Sequence, residues 1–181
     1  SYYSRERILA AYGIDAKVVH LGGDSLGDYE KNKNKKKNIV CSVGAITWLK
    51  GYDFIINALS NVKPNIRPKL ILIGHASNSL YKEKLKKLAS LKKVKLEIME
   101  DITDDALITI LNRSSIFLFA PILEPLGLAP IEALSFSIPV IAVKEAGMRE
   151  TIDHNINGLL IDRDAKKFGD SISKLLKDSD L

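Results

Sequence analysis

Two glutamates and a glycine, all in one stretch of a 181-residue sequence, carry its clearest chemical signal. The stretch reads Ala120-Pro121-Ile122-Leu123-Glu124-Pro125-Leu126-Gly127-Leu128-Ala129-Pro130-Ile131-Glu132-Ala133-Leu134 and passes from an apolar run into a helical one. Pro130 suits a first helical turn, where its missing N–H costs nothing. Gly127 lets the backbone come close to a ligand. Amides from Leu126 to Ala129 would then face an anion with the helix dipole behind them, and a diphosphate is the natural guest. Glu132 lies further along the same helix, where a carboxylate can accept from sugar or ribose hydroxyls. Glu124 lies before the helix, at the mouth of a crevice. Taken singly, each glutamate reads as a solvated surface charge, the ordinary fate of a carboxylate. The helix-start glycine, the strand before it and the apolar surroundings favour a site.

Metal chemistry has little to draw on. His20, His75 and His154 lie far apart, so they offer no local ligand spacing. The single cysteine, Cys41, excludes an internal disulfide and a multi-cysteine zinc site. The net charge is +5, with a cluster at Lys31-Asn32-Lys33-Asn34-Lys35-Lys36-Lys37. Such a run reads as a solvated linker, or as a contact for an anionic membrane surface. No aromatics interleave with the lysines, so nucleic acid is not expected as a partner. The hydrophobic fraction of 46% is that of a soluble globular domain. No apolar run approaches the roughly 18 residues of a membrane span. The start is polar and shows no leader, so a cytoplasmic location is expected, with an anionic membrane face as a candidate contact.

The elements that must position these residues alternate along the chain. Helical spacing covers 4–12 and stops at Gly13, and 17–21 reads as a short strand. From residue 38 on, strands at 39–43, 69–73, 94–98, 115–120, 140–143 and 159–161 alternate with helices at 52–59, 81–91, 106–112, 131–135 and 165–177. In the helix at 81–91, Leu85, Leu88 and Leu91 share one face. Thr103-Asp104-Asp105 is a capping signal for the helix at 106–112. Strand–helix repetition predicts an α/β fold: a doubly wound parallel sheet, Rossmann-like, with ligands at the carboxyl ends of its strands.

The same residues resemble a known family. Glu124 and Glu132 stand eight apart with Gly127 between them, similar to the glutamate-seven-residues-glutamate motif of retaining glycosyltransferase family 4, which has the GT-B fold. Ser137-Ile138-Pro139-Val140-Ile141-Ala142 is similar to the family's continuation of that motif. Val43-Gly44-Ala45-Ile46-Thr47-Trp48-Leu49-Lys50-Gly51 resembles its V-G-R-L-x-x-x-K-G, and Leu70-Ile71-Leu72-Ile73-Gly74 its L-x-I-x-G strand. Glu145-Ala146-Gly147-Met148-Arg149-Glu150-Thr151-Ile152 resembles G-G-x-x-E-x-I, and Asn157-Gly158-Leu159-Leu160 resembles N-G-x-L. Six motifs in order, across about residues 1–178, make a specific match.

The resemblance implies one half of a GT-B enzyme. Residues 1–37 would end an N-terminal acceptor domain and link it to a nucleotide-sugar-binding C-terminal domain at 38–181. The remainder of the acceptor domain is missing from the sequence. The donor would be a nucleoside diphosphate sugar, bound without a metal and with no other cofactor. Its transfer would retain anomeric configuration, and the fragment alone would not turn over. Lys50 matches the family's diphosphate lysine, and a lysine after a strand-end glycine is well placed as a compact phosphate cation. Glu124 matches the catalytic glutamate near the donor sugar, and Glu132 the glutamate on the ribose hydroxyls. Gly44, Leu126, Gly127 and Leu128 match donor-contacting backbone, and Ile102 the base-contacting segment.

Departures from the pattern put some contacts in question. Ala45 stands where many members have an arginine, a loss on the order of 1.5–3 kcal/mol of binding unless a cation such as Lys144 compensates. Glu100 replaces a common glycine near the base site. His75 is either a ligand contact or an exposed loop histidine. Trp48 either covers the diphosphate loop or packs in the core. Rival readings are a GT-B epimerase and a non-catalytic membrane-docking or interaction domain.

Overall fold

A computed structural model describes residues 1–20, 38–75 and 79–177. The chain order is α1 (Tyr2–Tyr12), β1 (Ile39–Val43), α2 (Tyr52–Ser60), β2 (Lys69–Gly74), α3 (Ser79–Leu91), β3 (Leu96–Glu100), α4 (Asp104–Arg113), β4 (Ile116–Phe119), α5 (Leu128–Ser135), β5 (Val140–Val143), α6 (Met148–Thr151), β6 (Gly158–Ile161) and α7 (Ala165–Lys177). A 3-10 turn at Trp48–Lys50 lies between β1 and α2. The six strands form one sheet in the order β3-β2-β1-β4-β5-β6. Every pairing is parallel.

Successive strand residues point to opposite faces of the sheet, and both faces are covered. Val40, Leu70, Leu72, Leu118, Ile141 and Val143 face α2, α3 and α7, packing with Ile55, Leu59, Leu85, Phe168 and Ile172. Cys41, Ile71, Ile73, Phe117, Phe119 and Ala142 face the other way, onto Ile108, Leu111, Ala133 and Met148. This is the doubly wound, Rossmann-like arrangement expected from the alternation. Burial pushes the Cys41 thiol up to about 12, which makes it an inert core group rather than a nucleophile.

The chain leaves β1 toward β2 on one side and arrives at β4 on the other. The gap between the connections that follow β1 and β4 is therefore a switch point, where a parallel sheet opens a crevice at its carboxyl edge. Local signals set several boundaries. Thr103 caps α4, its Oγ1 accepting from the Ala106 amide at 3.3 Å. Gly13 ends α1 in the left-handed conformation, its amide returning to Leu9 O.

Three readings of the sequence need correction. Residues 17–20 form no strand: Val19 is 75% exposed, and a short apolar run with no partner edge has nothing to pair with. The remainder of that reading, with Gly22-Gly23-Asp24 and the lysine run at 31–37, lies outside the described residues. Leu91 does not share the buried face of Leu85. It is 78% exposed, because α3 ends there and Lys93 turns the chain with a positive φ of 54°. The strand expected at 94–98 starts at Leu96, since the Val94 amide still closes the helix end on Ala89 O.

Candidate functional site

The crevice is built from two loops and a helix tip. After β1, the chain runs through Gly44 into the 3-10 turn, which Gly51 closes in the left-handed conformation. This turn aims Lys50 back across the end of the sheet. After β4, residues 120–127 form the opposing wall, tied to the first loop by the Ile122 amide donating to Leu49 O at 2.8 Å. Leu123 takes a positive φ of 54°, a conformation that costs a non-glycine residue about 1 kcal/mol or more and immediately precedes Glu124.

Lys50 Nζ donates to Glu124 Oε2 at 2.6 Å, joining groups 74 residues apart. Both side chains are only partly exposed, 26% and 20%. The ammonium also lies 5.9 Å from the centre of the Phe119 ring. An ammonium has three donors, and this pair uses one, leaving two for an incoming oxyanion.

The helix tip supplies further positive potential. Gly127 is the N-cap of α5, with φ 78° and no side chain capping the turn; the first turn carries no acidic residue. Helix-start amides without a side-chain cap are an anion site in waiting. A cavity of about 430 Å³ opens here, lined by Gly44, Lys50, Glu124, Gly127, Leu128 and Glu132 among others. Leu126 and Ala129 also line it. Burial raises the Glu132 carboxyl above its ordinary value. Pro130 lies in the first turn of α5, as its chemistry required.

The structure thus brings Gly44, Lys50, Glu124, Leu126, Gly127, Leu128 and Glu132 to one cavity. It leaves Ile102 out: that side chain packs partly buried against the core on the α4 and α5 face. Lys144 is exposed and does not line the cavity, so it does not stand in for the arginine absent at Ala45. Trp48 is 63% exposed, which removes the packed-core reading. His75 is exposed, and its carbonyl accepts from the Ile46 amide. Glu100 is engaged by Lys82 Nζ.

Sequence reasoning passed over Arg163. Its guanidinium binds Glu145 in a two-pronged pair at 2.6 and 2.7 Å. It also donates to Ala120 O at 3.1 Å and Pro121 O at 2.7 Å, holding the start of the Glu124 loop. Nothing near Arg163 in sequence marks it, because its partners come from two other loops. A second cavity, of about 420 Å³, lies at the amino edge of the sheet between Pro139, Ile156, Leu159 and Lys174. It is mainly apolar and collects no set of converging charges.

The chain resembles known proteins in sequence and in fold. A family model described as glycosyl transferases group 1 matches residues 28–181. The GDP-mannose-dependent alpha-(1-6)-phosphatidylinositol monomannoside mannosyltransferase of Mycobacterium tuberculosis is 26% identical over 99% of this chain and 52% of its own length. The human alpha-1,3/1,6-mannosyltransferase is 32% identical over 46% of this chain and 20% of its own length. The chain therefore spans about half of one relative and a fifth of the other. Among solved structures, sucrose-phosphate synthase from Thermosynechococcus elongatus matches with a TM-score of 0.82 at 22% identity, covering 99% of this chain and 48% of that one. Anabaena HepE in complex with UDP-glucose matches with a TM-score of 0.70 at 21% identity, covering 78% of this chain and 40% of that one. The structural likenesses concern the fold.

Proposed function

We propose a donor-binding role for this chain, which belongs to the glycosyl transferases of group 1. It takes a nucleoside diphosphate sugar at the carboxyl edge of the sheet and forms the donor half of a retaining hexosyltransferase. The observation that carries this is the Lys50–Glu124 pair at the mouth of the cavity onto which the α5 helix start opens. Lys50 and the Leu128 and Ala129 amides hold the diphosphate and steady it as negative charge develops on departure. Glu124 sits beside the sugar carbon that would become electron-poor, and Glu132 accepts from the ribose hydroxyls. The protein supplies the positive potential itself, so no metal is needed. UDP-glucose bound to HepE and the GDP-mannose dependence of the mycobacterial relative support this donor class.

The acceptor is a glycan, a lipid or a small molecule held by a domain that precedes this one. Supporting this, α1 buries none of its residues, while Tyr2, Leu9, Tyr12, Ile14 and Val19 are all exposed. A segment with that much uncovered apolar surface needs further protein to cover it. Residues 1–37 are accordingly the tail of the preceding domain and its link to 38–181.

A thermal-shift panel of UDP-, GDP- and ADP-sugars tests the reading. A donor at about 100 times its Kd adds about 2.7 kcal/mol, or about 5–10 °C for a domain of this size. No shift with any of the three, together with binding to anionic vesicles, would favour a docking module instead.

Glu132 gives a pH dependence with a definite sign. Its raised carboxyl means that the empty fold holds the proton more tightly than the unfolded chain does. Ionising it therefore costs stability as pH rises from the ordinary carboxylate value through the raised one. Hydroxyl donors from a bound ribose favour the ionised form. UDP-sugar affinity should then rise with pH across that same window and level off above it. Calorimetric titrations in a pH series should show this slope, and Glu132→Gln should flatten it.

A further inference from the structure

Glu150 does not line the cleft, yet its carboxylate is a shared acceptor. It accepts from the Tyr2 amide at 2.8 Å, the Tyr3 amide at 2.9 Å and His20 Nε2 at 3.1 Å. Ser1 Oγ accepts from the Ser4 amide at 3.1 Å. The first three amides of α1 are thus all satisfied by side chains, two of them by a carboxylate 147 or more residues away. A helix start is usually capped by a residue adjacent to it in sequence. Here a negative charge from another element also meets the positive end of the helix dipole. No residue of α1 is fully buried, and of its apolar side chains only Tyr3 and Ile8 are partly covered, so polar contacts carry much of its seating. Residues 1–20 are tied among themselves by Arg5 and Asp15 and by the Tyr2 and His20 rings, 5.6 Å apart.

Glu150 belongs to α6, and the other side of that short helix grips the donor loop. The Gly147 amide, at the start of α6, donates to Glu124 O at 3.0 Å. Thr151 Oγ1, at its end, donates to Leu126 O at 2.6 Å. Met148 between them lies against Gly127, so closely that a Cβ there would meet its terminal methyl at 2.5 Å. Four residues therefore carry α1 on one side and the Glu124–Gly127 backbone on the other. An element that short moves as one piece.

We propose that Glu150 is a positioning residue that couples the seating of residues 1–20 to the geometry of the donor loop. This rests on the donor-cleft reading above. Through α6, a shift of the preceding domain that draws α1 away would loosen the loop under the diphosphate. A bound diphosphate would in turn tighten the seat of α1, because coupling between two sites is reciprocal.

Amide hydrogen exchange on this chain, with UDP and GDP titrations alongside, tests the coupling. In Glu150→Ala the Tyr2 and Tyr3 amides should exchange about tenfold faster or more, the effect of losing a charge-assisted acceptor. The Gly147 amide and the amides of 126–129 should also quicken, by about threefold or more, and UDP or GDP affinity should fall by a similar factor. Glu150→Gln, which keeps an acceptor oxygen, should lie between. The Thr151 hydroxyl bonds Leu126 O and Gly147 O rather than α1, yet Thr151→Val should still quicken Tyr2 and Tyr3, a response that a simple cap would not give.

The proposal is overturned if Glu150→Ala releases Tyr2 and Tyr3 while the loop amides and nucleotide affinity stay at parental values. It is equally overturned if Thr151→Val leaves Tyr2 and Tyr3 unchanged, and that variant decides alone should Glu150→Ala not fold. A parent chain that binds neither UDP nor GDP overturns the donor reading instead, and the exchange rates still decide the coupling.

Discussion

Lys50→Ala is expected to weaken binding of UDP or GDP by roughly 10- to 150-fold, the equivalent of the 1.5–3 kcal/mol of a charge-assisted hydrogen bond. The cavity wall makes the loss hard to replace. Ala45 offers no guanidinium, and Lys144 does not reach the lining. Two carboxylates, Glu124 and Glu132, remain in the same space. Without the ammonium 2.6 Å away, Glu124 would face the diphosphate as a bare like charge.

Glu124→Gln should move nucleotide binding the opposite way. It removes the like charge and frees Lys50, so UDP or GDP binds as tightly as before or more so. In the intact parent enzyme the same change should lower sugar transfer about 100- to 1000-fold, the usual cost of losing a group that stabilises developing charge. Isothermal titration of both variants with UDP and GDP reads the two signs. Parental affinity in Lys50→Ala would falsify the assignment of that lysine to the diphosphate.

Gly147→Ala should be strongly damaging, costing about 3 kcal/mol from overpacking and a displaced hydrogen bond. A Cβ at Gly147 would stand 1.7 Å from Pro125 O, 2.3 Å from Pro125 C and 2.9 Å from Leu126 N. These are backbone atoms, so no side chain can swing aside. The φ of −73° is open to any residue, which makes the cost one of space and not of conformation. Either α6 or the Pro125–Leu126 peptide must move, and the Gly147–Glu124 hydrogen bond goes with it.

For a domain of this size the melting temperature should drop by about 6–12 °C. UDP binding should be lost even where the protein is still folded. Gly13→Ala is the control, since nothing lies within 4 Å of its added Cβ and only the left-handed backbone, φ 69°, opposes it. That variant should cost only about 1 kcal/mol. A Gly147→Ala protein that melts with the parent would show that α6 does not press on the donor loop.

Much of the architecture was legible in the chain because it follows from local patterns. Val140–Val143 and Ala165–Lys177 have the bounds expected of them, since a short apolar run and an amphipathic stretch each announce themselves within a few residues. The glycine and proline at the start of α5 likewise carry their conformational meaning with them. Where a reading failed, the cause was missing context. Residues 17–20 look like a strand until no strand edge is there to receive them. Leu91 looks like core until the helix ends beneath it.

Local pattern alone sets the alternation of elements, the two apolar faces of the sheet and the helix start that presents bare amides at Gly127. These depend on propensity and periodicity, which act over a few residues. Folding in three dimensions is what pairs Lys50 with Glu124, braces the loop at Ala120 and Pro121 with Arg163, and brings Glu150 to cap a helix 147 residues before it. Such pairings depend on where distant backbone segments end in space, and one lysine, arginine or glutamate is chemically the same as another until the fold gives it a neighbour.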